Sequence, residues 1–544
     1  VDRLLLGASF MCIDSSSPAA PLPGVPDRVR QQARQRPQAT ALVCGERRTR
    51  YGELDALADR VGAALQRQGL GMGDVVAVCA ATSIEYVAVF LGAVRIGVAV
   101  APLPTTVTAE SLAAMAQNAP ASLVFADAAT TPLVRNAGLG ELCVMLDGDL
   151  GELAPWPGAA AREPQPVRID PRWPFNIIYS SGTTGTPKAI MQTHARRAAQ
   201  AEHGKAFGYG PDAVTLLATP LYSNTTLVGL FATLAAGGAA VLMPKFDVRG
   251  YLELAQRERA THTMLVPVQY HRILAEPEFA AFDLSAFRLK ICTGAPCPPE
   301  LKREAVRRWP GGFMELYGTT EGGGSCVLEA HRYPDKLHTV GRPSGGSEFR
   351  VIDDGGRELP AGEAGEIVGR SEVMMDGYHG QAAAGRDLDW FDAQGRRFLR
   401  SGDIGYFDPD GFLVLVERKK DMIISDGFNV YPSDLEAQLR QHPGVLEAAV
   451  VGVPSERWGE TPVGFVVRRA GSDADPQAIL QWCNQRLGKI QRLAGVQLVA
   501  ALPRNPLGKV LKRELRDAYL ARTAALDPPM GVATAPGVSP KIAS

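Results

Sequence analysis

What most limits the fold of this chain is a rhythm. From about Val29 to Gly318, short apolar runs that read as strands alternate with amphipathic runs that read as helices. In "YGELDALADRVGAALQRQG", Leu54, Leu57, Val61, Ala64 and Leu65 share one helical face and Gly69 ends the run. "DVVAVCA" then reads as a strand, "SIEYVAVFLGAVRIG" as a helix and "VAVAPLP" as a strand, and the pattern continues through "NIIYS", "VTLLATP", "AAVLMP", "HTMLVP", "RLKICTG" and "FMELYG". Such alternation predicts an α/β fold with largely parallel sheets.

After Gly341-Arg342-Pro343 the rhythm changes to short strands punctuated by turns, "EFRVIDDGG", "GEIVGR" and "YFDPDGFLVL", which predict a small β subdomain. Beyond "ERKKDMIISDG", mixed helix and strand patterns such as "PSDLEAQLRQHPG" and "VLEAAVVGVP" predict a separate α+β domain. The stretch "LDPPMGVATAPGVSPKIAS" has small residues and Pro without periodicity, as disordered segments do. A length of 544 residues allows more than one core.

Charge excludes some partners. Lys+Arg 57 against Asp+Glu 58 leaves a net charge of −1, so no global field would hold nucleic acid or an anionic membrane. The eight cysteines form no Cys-x-x-Cys pair and sit mostly in apolar stretches, as fits a reducing cytoplasm; the eight histidines lack metal-ligand spacing, and no structural zinc is expected. "LLLGASFMCI" lacks the basic start of an export signal, and no apolar run approaches the ~18–20 residues of a membrane-spanning helix.

Within this frame "IIYSSGTTGTPKAI" stands out, because an apolar strand empties into a loop rich in N–H groups and hydroxyls that closes on Pro187-Lys188. An oligophosphate is the natural ligand for such a loop. It is not a P-loop: Pro187-Lys188-Ala189 stands where that motif has Gly-Lys-Ser/Thr. Runs of Gly, Ser and Thr are also common in linkers, but a linker does not start directly after a buried strand. "YGTTEGGG" offers an aromatic ring for a purine and one carboxylate for Mg²⁺, which takes its other oxygens from phosphate and water; a glycine turn capped by Thr is the plainer reading. "RSGDIGYFDPDGFL" puts Asp403 where a carboxylate accepts from ribose hydroxyls, although Asp and Gly together are often only turn chemistry. "PRNPLGKVLKREL" places Lys509 after a Pro/Gly-rich loop, at the start of a basic helix.

Taken in this order, with "ERKKDMIISDGFNVYP" between the last two, these segments resemble the superfamily of adenylate-forming enzymes, which includes acyl- and aryl-CoA ligases, peptide-synthetase adenylation domains and beetle luciferases. The resemblance spans residues 26 to 522. It implies a large N-terminal domain of two α/β subdomains plus a small β subdomain, at 26–417, a hinge at 418–421 and a mobile α+β C-terminal domain at 422–523. A leading extension, 1–25, and a disordered tail, 524–544, complete the expected organisation.

The resemblance also implies roles. Ser181, Gly182, Thr183, Thr184, Gly185 and Lys188 would grip the β- and γ-phosphates of ATP. Tyr317 would stack on adenine, Thr320 would meet the α-phosphate and Glu321 would hold Mg²⁺. Asp403 and Arg418 would bind ribose, Lys509 would be the catalytic lysine of adenylation and Lys420 the hinge residue, while Gly427 would line the coenzyme A tunnel.

For the acid, the pocket would be lined by Tyr222, Ser223, Thr226, Gly294, Ala295, Leu316, Gly322 and Gly323. "PLYSNTT" has no acidic residue to pair with an ammonium group, which argues against an amino acid. Ser223 stands where many acyl- and aryl-CoA ligases carry His after an aromatic. The triplet Gly322-Gly324 either leaves room for a longer acyl chain or relaxes the backbone. "GFNVYP" most resembles bacterial fatty-acyl-CoA ligases, so the expected reaction joins a medium- or long-chain fatty acid to coenzyme A. An aryl acid such as benzoate or cinnamate follows, and a ligase that loads a carrier-protein thiol shares every ATP residue named; a luciferase-like oxygenase is a remote third reading. The expected partners are a small carboxylic acid and coenzyme A, and a homodimer stays open.

Overall fold

The computed structural model describes residues 22–146, 163–180, 188–375, 388–425, 428–455, 458–488, 491–505 and 508–526. They divide into two compact units, one of residues up to 349 with 369–399, the other of 350–368 with residues from 400 on. Among the described residues no helix is long and apolar enough to cross a membrane.

The first unit is built on two sheets. In the nine-stranded sheet, Gly312–Gly318, Leu289–Cys292, His262–Leu265, Val214–Leu217, Ala239–Leu242 and Thr40–Cys44 lie side by side in that order, all parallel. Antiparallel strands close both edges, Ser325–Glu329 and Arg342–Ser344 at one and Arg47–Arg50 at the other. The six-stranded sheet runs Cys143–Met145, Ala121–Ala126, Val75–Cys79, Ala99–Pro102 and Pro174–Ser180 in parallel, with Lys188–Thr193 antiparallel at its end. The expected parallel interior is therefore present, and its antiparallel edges make both sheets mixed.

One apolar core joins these sheets. Leu42, Leu217 and Leu242 of the first, Val76, Val78 and Phe175 of the second, and Leu54, Val61, Phe90, Leu227 and Phe231 from helices belong to a single buried cluster. Burying residues of this size stabilises by about 1.5–3 kcal/mol each. Helices Tyr51–Arg67 and Ile84–Arg95 approach so closely that a Cβ on Gly92 would lie 2.6 Å from the Ala58 carbonyl oxygen. Only glycine permits that packing.

In the second unit, Leu413–Arg418 pairs antiparallel with Arg397–Phe407 across Asp403 and Arg418. A further sheet is ordered Phe428–Val430, Ile423–Ser425, Gly459–Arg468 and Val445–Ser455, with Gly495–Leu498 parallel to Gly459–Arg468. Helices Pro432–Arg440 and Pro476–Asn484 contribute Leu435, Leu439, Ile479 and Cys483 to a core with Val450, Val466 and Val496 from that sheet. This sheet with its two helices is a separate α+β domain, as the sequence leads one to expect.

Candidate functional site

Ser181, Gly182, Thr183, Thr184, Gly185 and Gly427 lie outside the described residues, and of Lys188 only the backbone is described. The strands that flank this stretch are described. Ser180 and Lys188 face each other as the last pair of the antiparallel ladder between Pro174–Ser180 and Lys188–Thr193.

Thr320 and Glu321 occupy the turn between antiparallel strands Gly312–Gly318 and Ser325–Glu329, two and three residues past the end of the ladder that carries Tyr317. The backbone of this turn is held at every step. The Thr320 carbonyl accepts from Gln192 Nε2 at 3.1 Å and from Arg196 Nη2 at 2.7 Å. The Glu321 carbonyl accepts from the Met375 amide at 2.8 Å, and the Gly322 carbonyl from Ser371 Oγ at 2.7 Å. Gly322 has φ +84°, and a Cβ there would lie 2.5 Å from both Arg196 Nη2 and the Val373 carbonyl oxygen. Gly324, at φ +106°, would press a Cβ to 2.9 Å from the Phe349 ring. The glycine triplet is thus required by close packing and by positive φ, and its missing side chains do not open an empty tunnel at those two positions.

The residues expected to line the acid pocket interlock. Tyr222 and Ser223 immediately precede helix Asn224–Ala235, and burial raises the pKa of the Tyr222 phenol. Thr226 Oγ1 donates to the Pro220 carbonyl at 2.7 Å and lies 2.5 Å from Thr219 Oγ1. Across from this helix start, a Cβ on Gly294 would come within 3.9 Å of Thr225 Oγ1, and Thr293 Oγ1 donates to the Leu316 carbonyl at 2.7 Å. Ser223 is buried and its Oγ has no hydrogen-bond partner.

Two adjacent arginines, not singled out from the sequence, bind this unit together. Arg197 is buried, with Nε on Asn176 Oδ1, Nη1 on Gln200 Oε1 and Nη2 on Asn224 Oδ1 at 2.8–2.9 Å, and its guanidinium lies 5.8 Å from the Phe231 ring centroid. It therefore ties the strand leading to the Ser/Thr/Gly stretch to the residue that follows Ser223. Arg196, beside it, reaches the Thr320 carbonyl.

In the second unit, Asp403 and Arg418 are cross-strand partners, with Arg418 Nε 2.7 Å from Asp403 Oδ1. Asp403 is buried, and its amide donates to Ser401 Oγ at 3.0 Å. Lys420 is exposed, in the single 3₁₀ turn Lys419–Asp421. Lys509 is fixed at its backbone by Asn505: its amide donates to Asn505 Oδ1 and its carbonyl accepts from the Asn505 amide, both at 2.9 Å. Burial lowers the pKa of the Lys509 ammonium, and the like charges of Arg418 and Lys420 lower it further, while Asp421 and Asp403 act in the opposite direction. Residues about a hundred positions apart, Asp403, Arg418, Lys420 and Lys509, thus share one electrostatic neighbourhood.

Among the described residues no group of three or more His, Cys, Asp or Glu side chains is placed to hold a metal. A single carboxylate such as Glu321 suits a magnesium ion that takes most of its oxygens from phosphate and water.

Comparison with known proteins matches residues 29–379 to the family described as AMP-binding enzyme and residues 434–509 to the AMP-binding enzyme C-terminal domain. The fatty acid–acyl-carrier-protein ligase ScoC of Streptomyces coeruleorubidus is 31% identical over 90% of this chain and 96% of its own. A feruloyl-CoA synthase from Amycolatopsis sp is 32% identical over 89% of this chain and 97% of its own. The structure of ATP-bound MatB from Rhodopseudomonas palustris superposes with a TM-score of 0.79 at 30% identity, covering 90% of this chain and 99% of that one. The chain belongs to the AMP-binding enzyme family, the adenylate-forming superfamily that its motifs resemble.

Proposed function

We propose that this member of the acyl- and aryl-CoA ligase superfamily activates a carboxylic acid with ATP and passes the acyl group to coenzyme A, with a medium- or long-chain fatty acid as the favoured acid. The observation that carries the reading is the gathering of Lys509, Asp403 and Arg418 into one neighbourhood, with the lysine half-buried and its pKa lowered by burial.

The chemistry explains why such a group is needed. A carboxylate is anionic and has no leaving group better than oxide. In the first step a carboxylate oxygen bonds to the α-phosphorus of ATP while the bond from that phosphorus to the bridging oxygen breaks, giving an acyl-adenylate and pyrophosphate. Two anions meet, and charge builds on the α-phosphate. The Lys509 ammonium would stabilise that charge, with Thr320 at the α-phosphate, Tyr317 against adenine, Asp403 and Arg418 at ribose, and Ser181, Gly182, Thr183, Thr184, Gly185 and Lys188 around the departing phosphates. Glu321 would hold a magnesium ion, which supplies charge neutralisation to the phosphates when bound. In the second step the coenzyme A sulfur bonds to the acyl carbon, the carbon–oxygen bond to AMP breaks, AMP leaves with the electron pair, and the thiol proton is released.

The thiol must reach the acyl carbon from where the lysine acted, so rotation about Lys420 would exchange one face of the C-terminal domain for another and bring the backbone near Gly427 to the thiol channel. The acid pocket around Tyr222, Gly294, Ala295 and Leu316 carries no acidic side chain among those named, which suits an uncharged acyl or aryl tail. Seven described cysteines are free thiols, in keeping with a reducing cytoplasm.

A panel of carboxylic acids scored by pyrophosphate release, with and without coenzyme A, tests the reading. Acid-dependent pyrophosphate release followed by coenzyme A-dependent AMP release supports it. The feruloyl-CoA relative makes an aryl acid the second candidate for the panel. The ScoC relative makes an acyl-carrier protein the alternative thiol, revealed by AMP release that needs the carrier and ignores coenzyme A. Full-rate ATP hydrolysis with no acid present would rule the reading out.

A further inference from the structure

We propose that Lys512 and Glu417 form a latch across the pivot at Lys420: a pair of positioning residues that holds Lys509 in place for adenylation and must open before the thiol step. The proposal rests on the reading of Lys509 as the adenylation lysine and of Lys420 as the pivot.

Every contact of the latch lies within the second unit. Glu417 is the next-to-last residue of strand Leu413–Arg418. Its Oε1 accepts from the Arg418 amide at 2.8 Å and its Oε2 from the Ser433 amide at 2.8 Å, while Lys512 Nζ stands 3.9 Å from Oε2. Ser433 Oγ also donates to the Val416 carbonyl at 2.7 Å. Val416 and Glu417 precede the pivot in the chain. Ser433, in the first turn of helix Pro432–Arg440, and Lys512, the first residue of helix Lys512–Leu526, follow it. Such hydrogen bonds are lost once donor and acceptor part by about 1 Å, so a rotation about Lys420 breaks them.

Lys509 is coupled to this pair through a tied loop. The Leu511 amide donates to the Pro503 carbonyl at 2.8 Å, Arg504 and Val510 pair in an antiparallel bridge, and Asn505 holds both the amide and the carbonyl of Lys509. Arg504 Nη2 fastens the loop to Glu447 Oε2 at 3.0 Å, on strand Val445–Ser455. Lys509 is therefore carried along wherever Lys512 goes.

A second carboxylate is what makes the pair a latch and not a fixed brace. Lys512 Nζ is 2.9 Å from Glu436 Oε1, which lies on the lysine's own side of the pivot, against 3.9 Å for Glu417. The Lys512 and Glu417 side chains are only 18% and 8% exposed, so solvent and salt screen them little. Stranding such a charge without any partner is costly. Opening strands neither, because Lys512 keeps Glu436 and Glu417 keeps the Arg418 amide. The contacts across the pivot hold the adenylation arrangement, and the contacts on either side of it let that arrangement be left.

The test uses the full chain and measures two rates apart: pyrophosphate release with the most active acid of the panel, and thioester formation from that acid's adenylate supplied with coenzyme A. Their ratio reports the balance between the two arrangements. Glu417→Gln removes the charge and keeps an oxygen for the Ser433 amide. It is expected to raise the ratio of thioester formation to pyrophosphate release about fivefold or more. Lys512→Met should do the same, and Lys512→Arg should keep the ratio of the unsubstituted protein. In a Glu417→Gln background, Lys512→Met should move the ratio no further. Thermal melting identifies the folded variants. Where neither charge variant folds, Ser433→Ala carries the expectation with a smaller rise, since it gives up only the hydrogen bond to Val416. A ratio unchanged or lowered in folded Glu417→Gln or Lys512→Met, or in Ser433→Ala where it stands in for them, overturns the proposal, because a purely structural pair would slow both rates alike. A second rise of equal size when Lys512→Met is added to Glu417→Gln overturns it as well. The functional reading fails separately, when the unsubstituted protein releases pyrophosphate with no acid of the panel.

Discussion

Asp403 and Arg418 face each other across two antiparallel strands, Nε to Oδ1 at 2.7 Å, with the carboxylate buried and the guanidinium partly exposed. The arginine thereby holds a carboxylate oriented in a place where it would otherwise be costly to keep charged. Replacing Asp403 by Ala should weaken ATP binding by about 1.5–3 kcal/mol, the range for hydrogen bonds to a charged group. Equilibrium titration with ATP checks this, and an unchanged affinity would take Asp403 out of the nucleotide site.

Lys509→Ala should slow acid-dependent pyrophosphate release on the order of 10²–10³-fold, while thioester formation from a supplied acyl-adenylate is largely kept. Because burial and the charges of Arg418 and Lys420 lower the Lys509 pKa, the ammonium is lost below the ordinary lysine value of about 10.4. The adenylation rate should therefore fall on an alkaline limb, and Lys420→Gln, which removes one like charge, should move that limb to higher pH. A limb that stays in place in pH–rate profiles would dissociate Lys509 from it.

Lys420→Pro restricts the backbone at the proposed pivot. Thioester formation should slow more than adenylation when the two half-reactions are assayed apart. Equal losses in both would remove the pivot from residue 420.

Gly322→Ala places a methyl group 2.5 Å from Arg196 Nη2 and from the Val373 carbonyl oxygen, at φ +84°. It should destabilise the fold by about 1–3 kcal/mol and depress pyrophosphate release further by displacing Thr320 and Glu321. Denaturant melts and initial rates on the same preparation separate the two effects.

His194 is buried against the Phe175 ring, and burial lowers its pKa to about 4. The unfolded chain, with an ordinary value near 6.5, binds the proton first, so stability is fully present above about pH 6.5 and declines as pH falls toward 4. The loss amounts to about 3 kcal/mol at most. His194→Phe should flatten that slope in melts taken from pH 7 to pH 4.

Periodicity made the strands and helices of the first unit legible, because apolar strands such as "VVAVC" and helices such as "IEYVAVFLGAVR" are buried along nearly their whole length. Edge strands were less so: Arg47–Arg50 is almost wholly polar and owes its place to the ladder with Thr40–Cys44. The Gly322-Gly324 triplet left two readings open, and only the packing of Arg196, Val373 and Phe349 against it decides for backbone need at Gly322 and Gly324. Arg196 and Arg197 were not legible at all. In "HARRAAQ" they look like the solvated face of a helix, and what buries them is contact with Thr320, Asn176 and Asn224, far away in sequence. Lys509 was singled out only by the family resemblance, since a lysine between a Pro/Gly-rich loop and a basic helix is ordinarily solvated, and its lowered pKa comes from residues it meets only in the fold.

The parallel pairing of Thr40–Cys44 with Ala239–Leu242 aligns Leu42 with Ala240, so an early strand finds its neighbour about 200 residues later. At a ribosomal pace of about 5–20 residues per second, that first strand waits roughly 10–40 s with an unclaimed edge while the rest of its sheet is still being made. Synthesis of this enzyme therefore passes through an interval of exposure that its finished sheet gives no sign of, and a chaperone able to cover one apolar strand would find its client there.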